Sequence, residues 1–125
     1  PGMVGAVGFR GNMDAGRLLE NIVAIELHRR GEDFFTFKTA GGKEVDFVVR
    51  RHGKVEELIQ VCRDLSGAQT RKRELAGLLR ASEELTCDNL RVVTWDTDGV
   101  ESAEGKRVLL SPAWAWLLGM DAERE

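Results

Sequence analysis

Two carboxylates set into an apolar stretch constrain this chain more than any other feature. Residues Gly41 to Leu65 read GGKEVDFVVRRHGKVEELIQVCRDL, a pattern that predicts two adjacent strands. In the first, Val45, Phe47 and Val49 alternate with Glu44, Asp46 and Val48, so one face is apolar and the other carries both acids. In the second, Leu58, Ile59 and Val61 are apolar, while Gln60 and Cys62 share a face. The polar run Arg50 to Lys54 supplies the turn, with Gly53 for the reversal. A carboxylate in mid-strand is costly to bury, so Asp46 must point to solvent or find a partner. Any function is expected here.

With 125 residues, 42% apolar and 31% charged, the chain suits one soluble domain with a true core. It has no apolar run of the roughly 20 residues that cross a bilayer and no signal-peptide pattern at its start, so a cytoplasmic location and no membrane partner are expected. A net charge of −3 argues against a general nucleic-acid binder. The local clusters His28-Arg29-Arg30, Arg50 to Lys54 and Arg71-Lys72-Arg73 read as solvated turns and helix faces before they read as binding patches. Cys62 and Cys87 have no metal-binding or redox spacing and are expected to be free thiols in a reducing compartment. The Pro-Gly-Met opening suggests a piece of a longer protein.

Residues 1–13 read as a leader or linker, because Gly5, Gly8 and Gly11 lack the preceding strand and the lysine of a phosphate loop. A helix is predicted from Asp14 to Arg30, capped by Asp14 and stopped by Gly31, with Leu18, Leu19, Ile22, Val23, Ile25 and Leu27 as its apolar stripe. Glu20 falls at the border of that stripe and Glu26 inside it, roughly 120° apart, so one of them needs a buried partner. Asp33 to Thr39 reads as the first strand, and the two organising strands follow. Next come a helix from Thr70 to Thr86, a strand from Leu90 to Trp95 and a hairpin around Ala103-Glu104-Gly105. A short helix over Ala113 to Leu118 is started by Ser111-Pro112, and residues 121–125 read as a charged tail. Trp114 and Trp116 point to different sides of this last helix: one is core, and the other is free to dock on a partner domain. The expected architecture over residues 14–120 is an α/β fold of order α-β-β-β-α-β. Its mixed sheet is flanked by helices, and a small C-terminal hairpin and helix form an appendage.

These segments carry a resemblance. A helix with Glu20, then Glu44 to Val49, then Ile59-Gln60-Val61-Cys62 before a second helix, resembles the PD-(D/E)XK nuclease, or restriction-endonuclease-like, fold. More closely, Gly16 to Asn21, Gly42 to Val49, Leu58 to Cys62, Thr70 to Glu74 and Trp95-Asp96 resemble the DUF4143-like C-terminal domains of archaeal and bacterial P-loop ATPases. The resemblance implies a P-loop ATPase domain in the same polypeptide. It also implies a chemistry of Mg²⁺-assisted phosphodiester hydrolysis, in which two acids and a Glu-x-Lys pair hold the metal and polarise water. Glu20 and Asp46 match the two acids. Gln60 stands where the glutamate belongs and Cys62 where the lysine belongs.

That departure has a size. A glutamine carbonyl can coordinate a hard cation but brings no charge, and a thiol of pKa ~8.5 is mostly neutral at pH 7. Losing one such contact costs about 2.7–4 kcal/mol of transition-state stabilisation, so two losses point to a degenerate site. Glu44 could restore the missing charge and Lys38 the missing cation, or both could be solvated strand residues. A Cys62 nucleophile would need a base, which His52 is poorly placed to be. The reading is thus a nuclease-fold accessory domain without catalysis, engaging a partner or nucleic acid, with no cofactor needed and with self-association left open. Its rivals are a Mg²⁺-dependent endonuclease holding its metal with Glu20, Glu44, Asp46 and Gln60, and a purely structural interaction domain.

Overall fold

The computed structural model describes residues 15–121. The glycine-rich leader, the Asp14 cap and tail residues 122–125 lie outside them. The elements are α1 (Ala15–Arg29), β1 (Asp33–Lys38), β2 (Glu44–Arg51), β3 (Lys54–Val61), α2 (Ala68–Leu85), β4 (Leu90–Thr94), β5 (Gly99–Ala103), β6 (Lys106–Pro112) and α3 (Ala113–Leu118). The six strands form one mixed sheet in the order β1-β2-β3-β4-β6-β5. β1, β2 and β3 are a meander, antiparallel throughout. The crossover through α2 then lays β4 parallel to β3. The C-terminal hairpin exists but does not stand apart as an appendage. β6 joins the main sheet parallel to β4, and β5 forms the far edge.

Each face of the sheet has its own core. On one side α2 lays Leu75, Leu78 and Leu79 over Val45, Val48, Leu58, Leu90, Val92 and Val108. On the other, Leu19, Val23 and Leu27 of α1 and Trp116 of α3 cover Phe47, Val49, Ile59 and Val93. The near-continuous apolar runs of β3 and β4 follow from this double coverage, since a strand buried on both sides has no polar face to show. The β2–β3 turn is tight, with His52 at φ 56° and Gly53 at φ 76°, the left-handed pair that a two-residue hairpin requires.

The strand expected to have one apolar face has apolar residues on both. Val45 packs on the α2 side, whereas Phe47 and Val49 pack on the α1 side. The register explains it: Phe35 pairs with Val48 but Phe37 pairs with Val45, so β2 carries one extra residue between them. This bulge reverses the alternation and twists the strand locally. Glu44 and Asp46 therefore do not share a face by simple alternation.

Pro112 closes β6 and stands at the N-cap of α3 without a side-chain cap bond. The expected cap, Ser111, is buried. Its hydroxyl donates to Asp121 Oδ2 at 2.8 Å and accepts from Arg91 Nη1 at 2.9 Å. Arg91 also pairs with Glu57 and Asp121, so Asp121, expected at the head of a loose tail, is held against the sheet.

Candidate functional site: a carboxylate cluster at a gap between two strands

The paired residues of β2 and β3 run from the hairpin only as far as Phe47 opposite Ile59. Beyond that point side chains replace the backbone ladder. The Asp46 N–H donates to Gln60 Oε1 at 2.9 Å, Gln60 Nε2 donates to the Glu44 carbonyl at 3.2 Å, and the Val61 N–H donates to Asp46 Oδ2 at 2.8 Å. The Gln60 carboxamide thus acts as an inserted peptide group, accepting from β2 and donating back to it. Backbone N–H and C=O have fixed identities, so the orientation of the amide is fixed with them. Gln60 is 5% exposed, and burial without both bonds would be costly. A glutamate could accept here but, when ionised, could not donate.

Carboxylates gather around this gap. Asp46 is half-buried, and its pKa is pushed up to about 6. Burial is the main cause, opposed by the Val61 N–H and reinforced by the charges of Glu20, Glu74 and Glu44. Glu74, on α2, is also pushed up by burial and by Glu20, against the pull of Arg73 and a hydrogen bond from Gln60. Glu20 reaches the group from α1, where it is exposed. Lys43, Glu44, Gln60, Arg73, Glu74 and Gly77 line a cleft of about 230 Å³ beside it. Gly77 of α2 faces the gap with room to spare: a methyl there would lie 3.5 Å from the Glu44 carbonyl and 3.6 Å from Gln60 Nε2, ordinary contact distances.

Of the residues singled out in the sequence, Glu20, Glu44, Asp46 and Gln60 meet around this gap. Lys38 is exposed on the sheet's edge strand, opposite Glu44 in register, and the cations that line the cleft are Lys43 and Arg73. Cys62 follows β3 with its thiol 3.5 Å from the Asp64 carbonyl, and burial and Glu74 push its pKa up. It therefore stays a neutral thiol. His52 sits at the opposite end of β3, roughly 26 Å away along eight residues of strand, and cannot serve Cys62 as a base. Glu74 escaped the sequence reading, although Thr70 to Glu74 helped to carry the resemblance. The available signal was Gly77, a glycine in a helix interior one turn beyond it.

A divalent cation fits this arrangement poorly. Among the described residues no three His, Cys, Asp or Glu side chains are placed to hold one ion. The Gln60 carbonyl is occupied by the Asp46 N–H, and one Asp46 oxygen by the Val61 N–H.

The basic clusters are largely neutralised within the fold. Arg29 and Arg30 both bind Glu26, Arg50 binds Asp33, Arg51 binds Glu32 through two bonds, and Arg71 binds Glu101. Glu26, itself buried, thereby gains the cationic partners its place in the apolar stripe demanded, with both guanidinium groups reaching in from the surface. Among the described residues no helix is long and apolar enough to cross a membrane.

Comparison with known proteins agrees with the segments that carried the resemblance. The chain is 37% identical over an alignment of 113 positions to the uncharacterized protein MJ1544 of Methanocaldococcus jannaschii, which covers 82% of this chain and 25% of that protein. It therefore spans a quarter of the length of the curated relative it matches. No solved structure matches it. The model of DUF4143, a domain of unknown function, matches residues 15–114, nearly the whole described fold, and the chain belongs to that family.

Proposed function

We propose that this domain is a nuclease-fold module whose active site has degenerated, and that it serves a longer cytoplasmic polypeptide with a P-loop ATPase domain as a protein-docking unit. The observation that carries the reading is the Gln60 carboxamide. It bridges β2 and β3 in the place where a nuclease of the PD-(D/E)XK type would present a metal-binding glutamate. Cys62 supplies no positive charge where such an enzyme would place its lysine. Of the two forms of engagement, docking on protein is favoured over nucleic acid, because Arg29, Arg30, Arg50, Arg51 and Arg71 are tied to carboxylates of the same chain.

One observation favours the rival, a Mg²⁺-dependent endonuclease. Glu20, Glu44, Asp46 and Glu74 are drawn together without a matching set of cations, and carboxylates with raised pKa values are typical of working sites. The two readings separate in a cleavage assay with linear and branched DNA under titration of Mg²⁺ and Mn²⁺. The unmodified domain is expected to leave both substrates intact. Cleavage that disappears in Asp46→Ala would establish the rival. Cleavage only after the double change Gln60→Glu with Cys62→Lys would show a scaffold that lost its chemistry at those positions.

A further inference from the structure

Trp95 and Trp114 face a common cleft of about 250 Å³, completed by Asp96 and Ala113. It shares no lining residue with the carboxylate cleft. Its walls are built from ordered parts. Trp95 follows β4 directly, and its N–H donates to the Arg63 carbonyl at 3.2 Å. The fully buried Thr94 locks the turn beneath, its hydroxyl donating to the Thr97 carbonyl at 2.8 Å and accepting from the Thr97 N–H at 2.9 Å. Trp114 stands on α3 beside the buried Ala113. Despite this support Trp95 is 52% exposed and Trp114 57%, whereas Trp116 is 4% exposed.

The chain shows what it does with a tryptophan it uses internally. The Arg30 guanidinium lies 4.5 Å from the Trp116 ring centroid and donates to the Trp116 carbonyl. Among the described residues Trp95 and Trp114 have no such cation, although an acid stands beside them. No lysine or arginine occurs from Val92 to Gly105, a stretch containing Asp96 and Asp98. Among the described residues neither aspartate is engaged in an ion pair. Arg63 is exposed and is not among the residues that line the cleft. Around the cleft's α3 wall, Leu117, Leu118 and Met120 are also exposed, the first two on the same helical face as Trp114.

We propose that this cleft receives an arginine side chain carried on an apolar segment from another part of the longer polypeptide. The indole faces attract a guanidinium through their quadrupoles and match its flat shape, Asp96 supplies the counter-charge, and the apolar rim covers the residues that flank the arginine. This deepens the docking half of the proposed function and rests on it. The segment that fills the cleft is assigned to the remaining part of the longer polypeptide, since the matched relative extends to four times the aligned share.

The test follows the indole N–H resonances of Trp95, Trp114 and Trp116, assigned by single Trp→Phe variants, during titration with acetyl-Leu-Arg-Leu-amide. The Trp95 and Trp114 signals are expected to move saturably and Trp116 to stay still. Replacing arginine by the neutral, isosteric citrulline should weaken binding about fivefold, and Asp96→Asn should weaken the arginine peptide about threefold without affecting the citrulline one, as exposed cation–π and ion-pair contacts allow. An unmoved Trp116 signal in Asp96→Asn shows that the fold is intact. Absence of saturable movement, equal affinity for the two peptides, or an Asp96→Asn variant that binds arginine undiminished would each overturn the proposal. The cleavage assay reads other residues, so failure of one reading is not mistaken for failure of the other.

Discussion

Glu26 and Asp46 are both carboxylates in apolar settings, and the fold treats them in opposite ways. Glu26, at the end of α1, accepts from Arg29 Nε and Nη2 and from Arg30 Nε at 2.7–2.9 Å. These bonds hold its pKa down to about 2. Asp46, in the gap between β2 and β3, has one backbone donor and three carboxylate neighbours, and sits at about 6. A carboxyl group that only holds the structure together is paired with cations, as Glu57 and Asp121 are with Arg91. One left among like charges costs stability, and raised carboxylate pKa values of this kind cluster at functional sites, in line with the function proposed above.

Breaking the paired end should have the largest effect. Arg30→Ala removes one of the two cations on Glu26, the stacking on Trp116 and the bond to the Trp116 carbonyl. A loss of about 3 kcal/mol is expected from urea unfolding at pH 7, since the buried Glu26 carboxylate is left with Arg29 alone and the cation–π and carbonyl contacts to Trp116 are lost with it.

At the other end, Gln60→Glu should cost about 2 kcal/mol at pH 7, because the buried donor to the Glu44 carbonyl is lost and a charge is added beside Glu74. The effect has a sign in pH. The new acid has a raised folded pKa, so the variant should recover stability as pH falls and the protonated carboxyl regains a donor. Unfolding curves at pH 7 and pH 5 that show the same deficit would contradict the bridging role.

Asp46→Asn works in the opposite direction. It keeps an oxygen for the Val61 N–H and removes the like-charge crowding, so stability at pH 7 should rise by about 1 kcal/mol, allowing for the solvent that still reaches the group. In the unmodified protein the raised pKa means that the folded state binds the Asp46 proton more tightly than the unfolded chain does. Stability from this group is therefore lost as pH rises from about 4 to about 6. Glu26 runs the other way: its contribution is present above about pH 4.5 and lost as pH falls towards 2. Near the bottom of the scale, Gly77→Ala should stabilise by about half a kcal/mol, since a methyl fits at ordinary contact distance and a glycine in mid-helix is entropically costly.

Much of this was legible in residue order. The helix ending before Gly31, the meander, the crossover helix and the burial of one tryptophan of Trp114 and Trp116 all follow from periodicity and stop signals. So did the need of Glu26 for a partner, because a charge inside an apolar stripe cannot be left alone. The bulge in β2 was not legible. Alternation over Val45, Phe47 and Val49 is what an unbulged strand would show, and the extra residue is fixed by packing against β1 and by the Asp46–Gln60 exchange with β3. Glu74 was hidden for a related reason: a helix brings it to the site only once α2 is docked across the sheet. Integration of the C-terminal hairpin depends on β6 finding β4, a long-range pairing that local pattern does not encode.

The most direct measurement is the titration of the Asp46 side-chain carboxyl carbon by NMR, with and without a millimolar excess of Mg²⁺. A midpoint near 6 that Mg²⁺ leaves in place is expected of a carboxylate cluster that has kept its place in the fold and lost its metal. A midpoint near the ordinary 3.9 of an aspartate, or one that Mg²⁺ lowers by about a unit or more, would contradict the degenerate-site reading proposed above.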